Sequence, residues 1–303
     1  MNNRKEFIKR SIDANAFVSD DQYATVVNPA IWDTKLREYE EKNIIFVNHV
    51  TTFDFRIPGR DYTVTIDGAP TAAADVAETD AVAIQPITNR QVTFVPTERG
   101  SAMQTTRKEL ARAFFNVMEN MTKKLGYALA LKKDSLGVST AMTGATTKLT
   151  VNDVASTAIA SSDLLSLGDF TKSVRVIKNK YYKPVKAFIC PSQEEQVLNI
   201  TQLQKANEFG SRDAIDKGLV GQLFGVKIYV THSIPVADNK AKMLVLGQSG
   251  TGEEAVGYAI KRDAMIERDY DPFYRRESLI AHEEYDFKVL HPDAIVTIES
   301  YAA

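Results

Sequence analysis

The 303-residue chain has a single cysteine, Cys190, and four histidines, His49, His232, His282 and His291, dispersed along its length. A lone thiol excludes an internal disulfide framework and any multi-cysteine zinc site. No apolar run approaches the 18 or so residues of a membrane-spanning helix, and the basic start, Met1 to Arg10, lacks the apolar stretch of a signal peptide. Excess charge of either sign is missing too: 37 lysines and arginines face 39 aspartates and glutamates, a formal net charge of -2. That balance argues against a dedicated nucleic-acid binder. A soluble protein of a reducing or redox-neutral compartment is expected, long enough for one large domain or two modest ones.

Catalytic signatures are absent as well. There is no phosphate-binding Gly-x-x-x-x-Gly-Lys-[Ser/Thr], no His-Glu-x-x-His and no Gly-x-Ser-x-Gly. Gly250, Gly252 and Gly257 lack dinucleotide-fingerprint spacing. His282, Glu283, Glu284 and Asp286 offer the nearest thing to a ligand cluster. On a strand Glu283 points away from its two neighbours, so a solvated strand face is expected there. Asp269 and Asp271 sit in Arg268-Asp-Tyr-Asp-Pro272, which reads as a turn. Cys190, among strand residues without a nearby cation, reads as an inert core thiol. No catalytic residue, metal or cofactor is expected.

What the chain does have is a sequence of distinct textures. Residues 1–43 read as an arm with two short helices, the second starting near Asn28-Pro29 and continuing through Ile31, Trp32, Leu36 and Tyr39. Short helices of this kind need an external surface to pack on. Two alternating stretches, Asp61-Tyr-Thr-Val-Thr-Ile66 and Arg90-Gln-Val-Thr-Phe-Val-Pro96, predict a two-stranded ribbon with an Ala/Thr/Asp-rich tip over 69–86. An isolated ribbon is marginal in water.

Leu110, Phe114, Val117, Met118, Met121, Leu125 and Leu129 predict a long helix. Ser101 with Gln104 and Thr106 with Glu109 are alternative starts, Gly137 marks the end, and the length is about 40–45 Å. Residues 138–162 read as a loop with short strands. An α/β segment follows. Phe170, Val174, Ile177 and Tyr181 form a helical stripe closed by Pro184; 185–190 is a buried strand; Ser192 with Glu195 caps another helix. Residues 224–230, 243–246 and 256–260 read as strands, 261–277 as a charged stretch, and a strand pair closes the chain around a turn at His291-Pro292-Asp293. Lys261, Arg262, Arg268, Arg275 and Arg276 are interleaved with acids, which favours ion pairing over phosphate binding.

In this order the segments resemble the HK97-type major capsid proteins of tailed bacteriophages. The stretches that carry the resemblance are Lys183-Pro-Val-Lys-Ala-Phe-Ile-Cys-Pro-Ser192, Gly221-Gln-Leu-Phe-Gly-Val-Lys-Ile-Tyr-Val230 with Ser233-Ile-Pro235, and Glu284-Tyr-Asp-Phe-Lys-Val-Leu-His-Pro-Asp-Ala-Ile-Val-Thr-Ile298. The resemblance implies an α+β fold with an N-terminal arm (1–43), an extended β-ribbon loop (44–100), a peripheral domain with its spine helix (101–162), an α/β axial domain (163–260) and return strands of the peripheral domain (261–303). It implies a shell subunit that self-assembles into pentamers and hexamers of an icosahedral head around double-stranded DNA. Such a subunit belongs to the virion and assembles in the host bacterial cytoplasm. Its partners would be its own copies, with scaffolding, portal and cement proteins as further candidates.

The type member of that family welds its shell through a lysine on the extended loop. Here no lysine occurs between Thr51 and Gly100. A non-covalent lattice is therefore expected, with Arg56, Arg60, Arg90 and Arg99 and the acids Asp61, Asp75, Glu78, Asp80 and Glu98 as candidate inter-subunit contacts. Exposed pairs are worth only about 0–1 kcal/mol each and would set register more than strength. Arg4, Lys5, Lys9 and Arg10 are candidate inner-surface or scaffold contacts. Rival readings are an encapsulin-type nanocompartment shell, another virion component of the tail or connector, and a hydrolase using His282, Glu283 and Asp286 with a divalent ion.

Overall fold

The computed structural model describes residues 34–40, 44–56, 61–67, 89–112, 116–199 and 219–302. The chain divides into two compact units. One comprises Met1–Asn43, Glu98–Ala130 and Asp263–Glu283; the other comprises Ile44–Thr97, Leu131–Arg262 and Glu284–Ala303.

In chain order the elements are helix α1 (34–40) and strands β1 (Thr51–Asp54), β2 (Tyr62–Asp67), β3 (Asn89–Phe94) and β4 (Thr97–Thr106). Helices α2 (Arg107–Arg112) and α3 (Val117–Gly144), strand β5 (Thr147–Thr150), helix α4 (Leu167–Asn179), strand β6 (Lys183–Ile189) and helix α5 (Pro191–Leu198) follow. Strands β7 (Leu219–Leu223), β8 (Val226–Val230), β9 (Val236–Ala237), β10 (Lys240–Gln248), β11 (Val256–Asp271), β12 (Arg276–Val289) and β13 (Ile295–Tyr301) complete the chain. Strands β1-β11-β12-β4 form one sheet in that order, and β5-β13-β10-β6-β8-β7 form another with β9 on β10.

The larger unit is organised by the second of these sheets, and the reason is visible in alternate residues. In β6 and β10, Ala187, Ile189, Met243 and Val245 point to the side covered by Phe170, Val174 and Ile177 of α4. Phe188, Leu244 and Leu246 point to the opposite side, among Phe46, Val138, Ala141, Tyr258 and Phe287. Both faces are buried, so these strands read as continuous apolar runs. Each such side chain contributes roughly 1.5–3 kcal/mol of burial. The β6–β8 pair is parallel and needs a crossover, which includes α5.

In the other unit, Leu36 of α1 and Met118, Met121, Leu125 and Leu129 of α3 pack on Ala264, Ile266, Leu279 and Ala281 of the β11–β12 hairpin. Arg37 ties α1 to β11, donating to the carbonyl of Ala264 at 3.1 Å and pairing with Asp263 at 3.5 Å.

The predicted long helix is real, with different ends. Residues 97–106 are a strand whose alternate side chains, Arg99, Ser101, Met103 and Thr105, turn inward. Thr106 caps α2 by accepting the amide of Glu109 at 3.3 Å. A separate cap, Asn116 accepting the amide of Glu119 at 3.1 Å, starts α3. The C-terminus lies at Gly144 instead of Gly137, so the first residues of the expected loop 138–162 are helical. Gly126, Gly137 and Gly144, about three and two turns apart, share one face of α3. A Cβ at Gly126 would meet the Leu36 carbonyl oxygen at 3.1 Å, one at Gly137 would meet the Phe46 ring at 2.7 Å, and one at Gly144 would strike Val289. Gly126 and Gly137 mark close approach and not termination, and Gly144 marks both.

Other expectations shift for equally local reasons. Helix α4 ends at Asn179, before Pro184, and Tyr181 leaves the stripe with φ 64, almost wholly exposed. Helix α5 is capped by Cys190 and Gln193 around Pro191, in place of Ser192 and Glu195. Phe224 and Gly225, at φ 51 and 84, make the turn of the β7–β8 hairpin instead of extending a strand. The charged stretch 261–277 is mostly strand. The turn falls at 272–275, starting where the expected Arg268–Pro272 turn ends. Its charges pair as expected, with Lys261 on Glu284 at 2.8 Å and Arg268 on Glu277 at 2.7 Å.

Asp134 of α3 supplies a contact that no motif announced. Its carboxylate accepts the amides of Ile45 at 2.8 Å, Phe46 at 3.2 Å and Val47 at 3.3 Å. Burial pushes its pKa up against the opposing pull of those three amides.

Two outcomes follow for the isolated chain. Alanine for an exposed helical glycine usually gains about 1 kcal/mol, yet Gly137→Ala should lose about 1–3 kcal/mol in urea unfolding because Phe46 is fully buried with no room to give; a gain refutes the close packing. The folded Asp134 carboxyl holds its proton to higher pH than the unfolded one. Its contribution is therefore complete below the unfolded pKa and is lost as pH rises through the folded value. The stability advantage of wild type over Asp134→Asn should widen from neutral pH down to about pH 4. A gap that narrows over that range contradicts it.

Candidate assembly surfaces

The ribbon is the first such surface. Strands β2 and β3 pair antiparallel, from Tyr62 opposite Phe94 to Asp67 opposite Asn89, as their alternation predicts. At its root stands an aromatic cluster. The rings of Phe55 and Tyr62 stack at 4.6 Å, and Phe53 and Phe55 lie 5.6 and 6.1 Å from Phe94. Phe94 is fully buried with Ala259 and Leu290. Farther out the cover thins. Val64, Ile66 and Val92 are half-buried, and Thr63 and Thr93 face outward with hydroxyls 3.2 Å apart.

The predicted contact residues are placed unevenly. Arg90 donates to the carbonyls of Leu290 at 2.6 Å and Val289 at 3.2 Å, which secures the ribbon to its own unit. Arg56 is exposed and lies 3.4 Å from Asp54. Asp61 and Glu98 are exposed and Arg99 is half-buried. Arg60, Asp75, Glu78 and Asp80, and the tip 69–86, lie outside the described residues, as do Arg4, Lys5, Lys9 and Arg10. Val95 beside the ribbon donates its amide to Asp286 at 3.0 Å, a second anchor that sequence reasoning missed.

The residues considered for chemistry are engaged elsewhere. His282 and Glu283 are buried, which corrects the expected solvated face. His282 Nε2 lies 3.8 Å from Glu267, Glu284 pairs with Lys261, and Asp286 holds the Val95 amide. Asp271 accepts the amides of Phe273 and Tyr274 and so shapes a turn. Burial raises the Cys190 thiol pKa, which keeps the group protonated and unreactive. Among the described residues, no three or more histidine, cysteine, aspartate or glutamate side chains are grouped to hold a metal ion. No described helix is long and apolar enough to cross a membrane.

A second surface was invisible as such in the sequence: the turn of the β11–β12 hairpin. Phe273 is 91% exposed and Tyr274 68% exposed. The signal available was Tyr270-Asp-Pro-Phe-Tyr274, an aromatic cluster inside a charged stretch.

No curated protein matches the sequence. Among solved structures, the chain is similar to the capsid of cyanophage P-SCSP1u, with TM-score 0.65 and 16% identity over 86% of this chain and 89% of that one. It is similar to the head of Helicobacter pylori bacteriophage KHP40, with TM-score 0.66 and 9% identity over 86% and 91%. A virus-like particle from Pyrococcus furiosus also matches, with TM-score 0.58 and 16% identity over 88% and 96%. The α+β fold is thus that of the HK97-type capsid proteins. The family model described as phage capsid protein matches residues 89–298, from the returning strand of the ribbon to the last strand. The chain belongs to the phage capsid protein family and is a shell protein of the virion.

Proposed function

We propose that this shell protein assembles with copies of itself into pentamers and hexamers of an icosahedral head that encloses double-stranded DNA. Assembly takes place in the host bacterial cytoplasm, and the chain performs no catalysis. The observation that carries this reading is the ribbon, sealed at its root by Phe94 and tied to its own unit by Arg90, opposite Ile66, while Val64, Ile66 and Val92 remain half-buried along it. Residues 1–43 act as the arm, 44–100 as the extended loop, 101–162 and 261–303 as the peripheral domain and 163–260 as the axial domain. Draped over a neighbour, the ribbon completes its burial. Obligate interfaces of this kind commonly cover about 2,000 Å² or more. Rings of five or six copies need heterologous contacts, in which one surface meets a different one.

The lattice is non-covalent, because Arg56, Arg60, Arg90 and Arg99 replace lysine throughout the loop. Arg56, Arg60 and Arg99 pair with Asp61, Asp75, Glu78, Asp80 and Glu98 between neighbours, while Arg90 first holds the ribbon to its own unit. Arg4, Lys5, Lys9 and Arg10 touch scaffold or DNA on the inner side. Portal and cement proteins are further partners. Likeness to the Pyrococcus furiosus particle supports a second reading, an encapsulin-type compartment with the same fold and a different cargo.

Electron microscopy of the purified protein should show closed shells, and nuclease-protected DNA in shells from phage-infected cells separates the first reading from the second. Denaturing electrophoresis of mature shells should show monomers alone; a ladder of covalent multimers disproves the non-covalent lattice.

A further inference from the structure

Residues 170–193 hold six of the chain's 37 lysines and arginines and none of its 39 aspartates and glutamates. In α4, Phe170, Val174 and Ile177 turn into the core, while Lys172, Arg175 and Lys178, at steps of three, lie along the other side. Two of the six cations are engaged within the chain, Lys172 with Asp153 at 2.5 Å and Lys186 with Glu254 at 2.6 Å. The other four, Arg175, Lys178, Lys180 and Lys183, are exposed, and among the described residues none has an ion-pair partner. They follow one another from the last turns of α4 into the start of β6, so their fields add instead of cancelling.

Tyr181 stands among them. Its φ of 64 is the left-handed position that closes α4, with its amide on the Lys178 carbonyl at 2.9 Å. Glycine, and after it asparagine, takes that position most easily. A tyrosine there is strained, and at 96% exposure its ring gains almost nothing from its own chain. The helix dipole accounts for cations at a helix C-terminus. It does not account for an aromatic side chain held in water on a strained backbone. Strain of this kind persists where it serves a contact.

The chemistry of the patch selects its partner. Lysine and arginine neutralise phosphates, and a tyrosine hydroxyl donates to a phosphate oxygen; such contacts hold a duplex without reading its bases. Duplex DNA carries one negative charge per about 1.7 Å of its axis, whereas an extended acidic polypeptide carries at most one per residue, about 3.4 Å. Closely spaced cations therefore gain more from the duplex. We infer that Arg175, Lys178, Lys180, Tyr181 and Lys183 contact the phosphate backbone of the packaged DNA, and that the α4 side of its sheet faces the lumen of the shell. This rests on the shell reading above, which supplies the DNA.

Electron microscopy of closed shells should place α4 on the lumenal face. Fluorescence anisotropy of a labelled random-sequence duplex with the full unassembled chain, between about 50 and 200 mM salt, gives the slope of log K against log salt. Lys178→Gln combined with Lys180→Gln should make that slope shallower by about 1.8, two phosphate contacts at about 0.9 each. Arg4, Lys5, Lys9 and Arg10 are common to every variant, so the difference in slope reports the patch. Lys227→Gln should leave the slope unchanged, because Lys227 is exposed on β8 and alternates with Ile228, which points to the α4 side. Tyr181→Gly should bind the duplex about two- to tenfold more weakly, yet unfold at no lower temperature than wild type, since glycine relieves the left-handed backbone. If wild type forms no closed shells, the shell reading fails and the packaged duplex with it. If shells form, this patch alone is overturned by α4 on the outer face, by an unchanged slope in the double variant, or by Tyr181→Gly binding as wild type does. Poly-glutamate competing as well as duplex of equal charge also overturns it and assigns the patch to an acidic protein.

Discussion

A two-stranded ribbon has two faces and no interior, so its stability depends on what lies against it. In this chain that constraint is met fully at Phe94 and only in part along the rest of the described ribbon, where Val64, Ile66 and Val92 are half-buried. Phe94 is sealed beneath Phe53 and Phe55, Arg90 grips two backbone carbonyls, and Asp286 holds the Val95 amide. The same region is clamped from α3, where Asp134 gathers the amides of Ile45, Phe46 and Val47. The root is over-determined, and farther out Arg90 holds a ribbon whose apolar side chains stay half-covered. That division suits a part whose direction must be fixed before its partner arrives, since preorganisation lowers the entropy lost on association.

The spine helix α3 solves a related problem of approach. A helix of ordinary composition keeps its neighbours at a distance of 8–10 Å or so. By placing Gly126, Gly137 and Gly144 on one face, α3 admits the backbone of α1, the Phe46 ring and the Val289 side chain. Its other positions are conventional, with Met118, Met121, Leu125 and Leu129 filling the core of one unit. Glycine here trades helical propensity for packing. That is why the helix survives residues that would ordinarily end it.

The exposed features form a pattern as well. The half-buried Lys186 and Glu254 pair at 2.6 Å, whereas the exposed aromatics Phe273 and Tyr274 sit on a turn shaped by its own hydrogen bonds. A shell protein gains from this arrangement. Weak contacts repeated around closed rings act together, so no single interface has to be strong.

Local pattern determined the elements whose cause is local. The period-two alternation of 61–66 and 90–96 specified the ribbon and its partners, the helical spacing of Met118 to Leu129 specified the spine, and the apolar runs Phe188 to Cys190 and Met243 to Leu246 specified strands buried on both faces. The order of those elements carried the family resemblance, and the absence of lysine from 51–100 carried the expectation of a non-covalent lattice. Tertiary contacts decided the rest. Gly137 reads as a terminus until Phe46 is seen against it, 261–277 reads only as a charged stretch until Lys261 and Arg268 find acids across a hairpin, and Asp134 is an ordinary helical aspartate until three distant amides converge on it. The physical reason is range: propensity and periodicity act over a few neighbouring residues, while close approach, cross-strand pairing and burial of a charge depend on groups brought together from tens to hundreds of positions away.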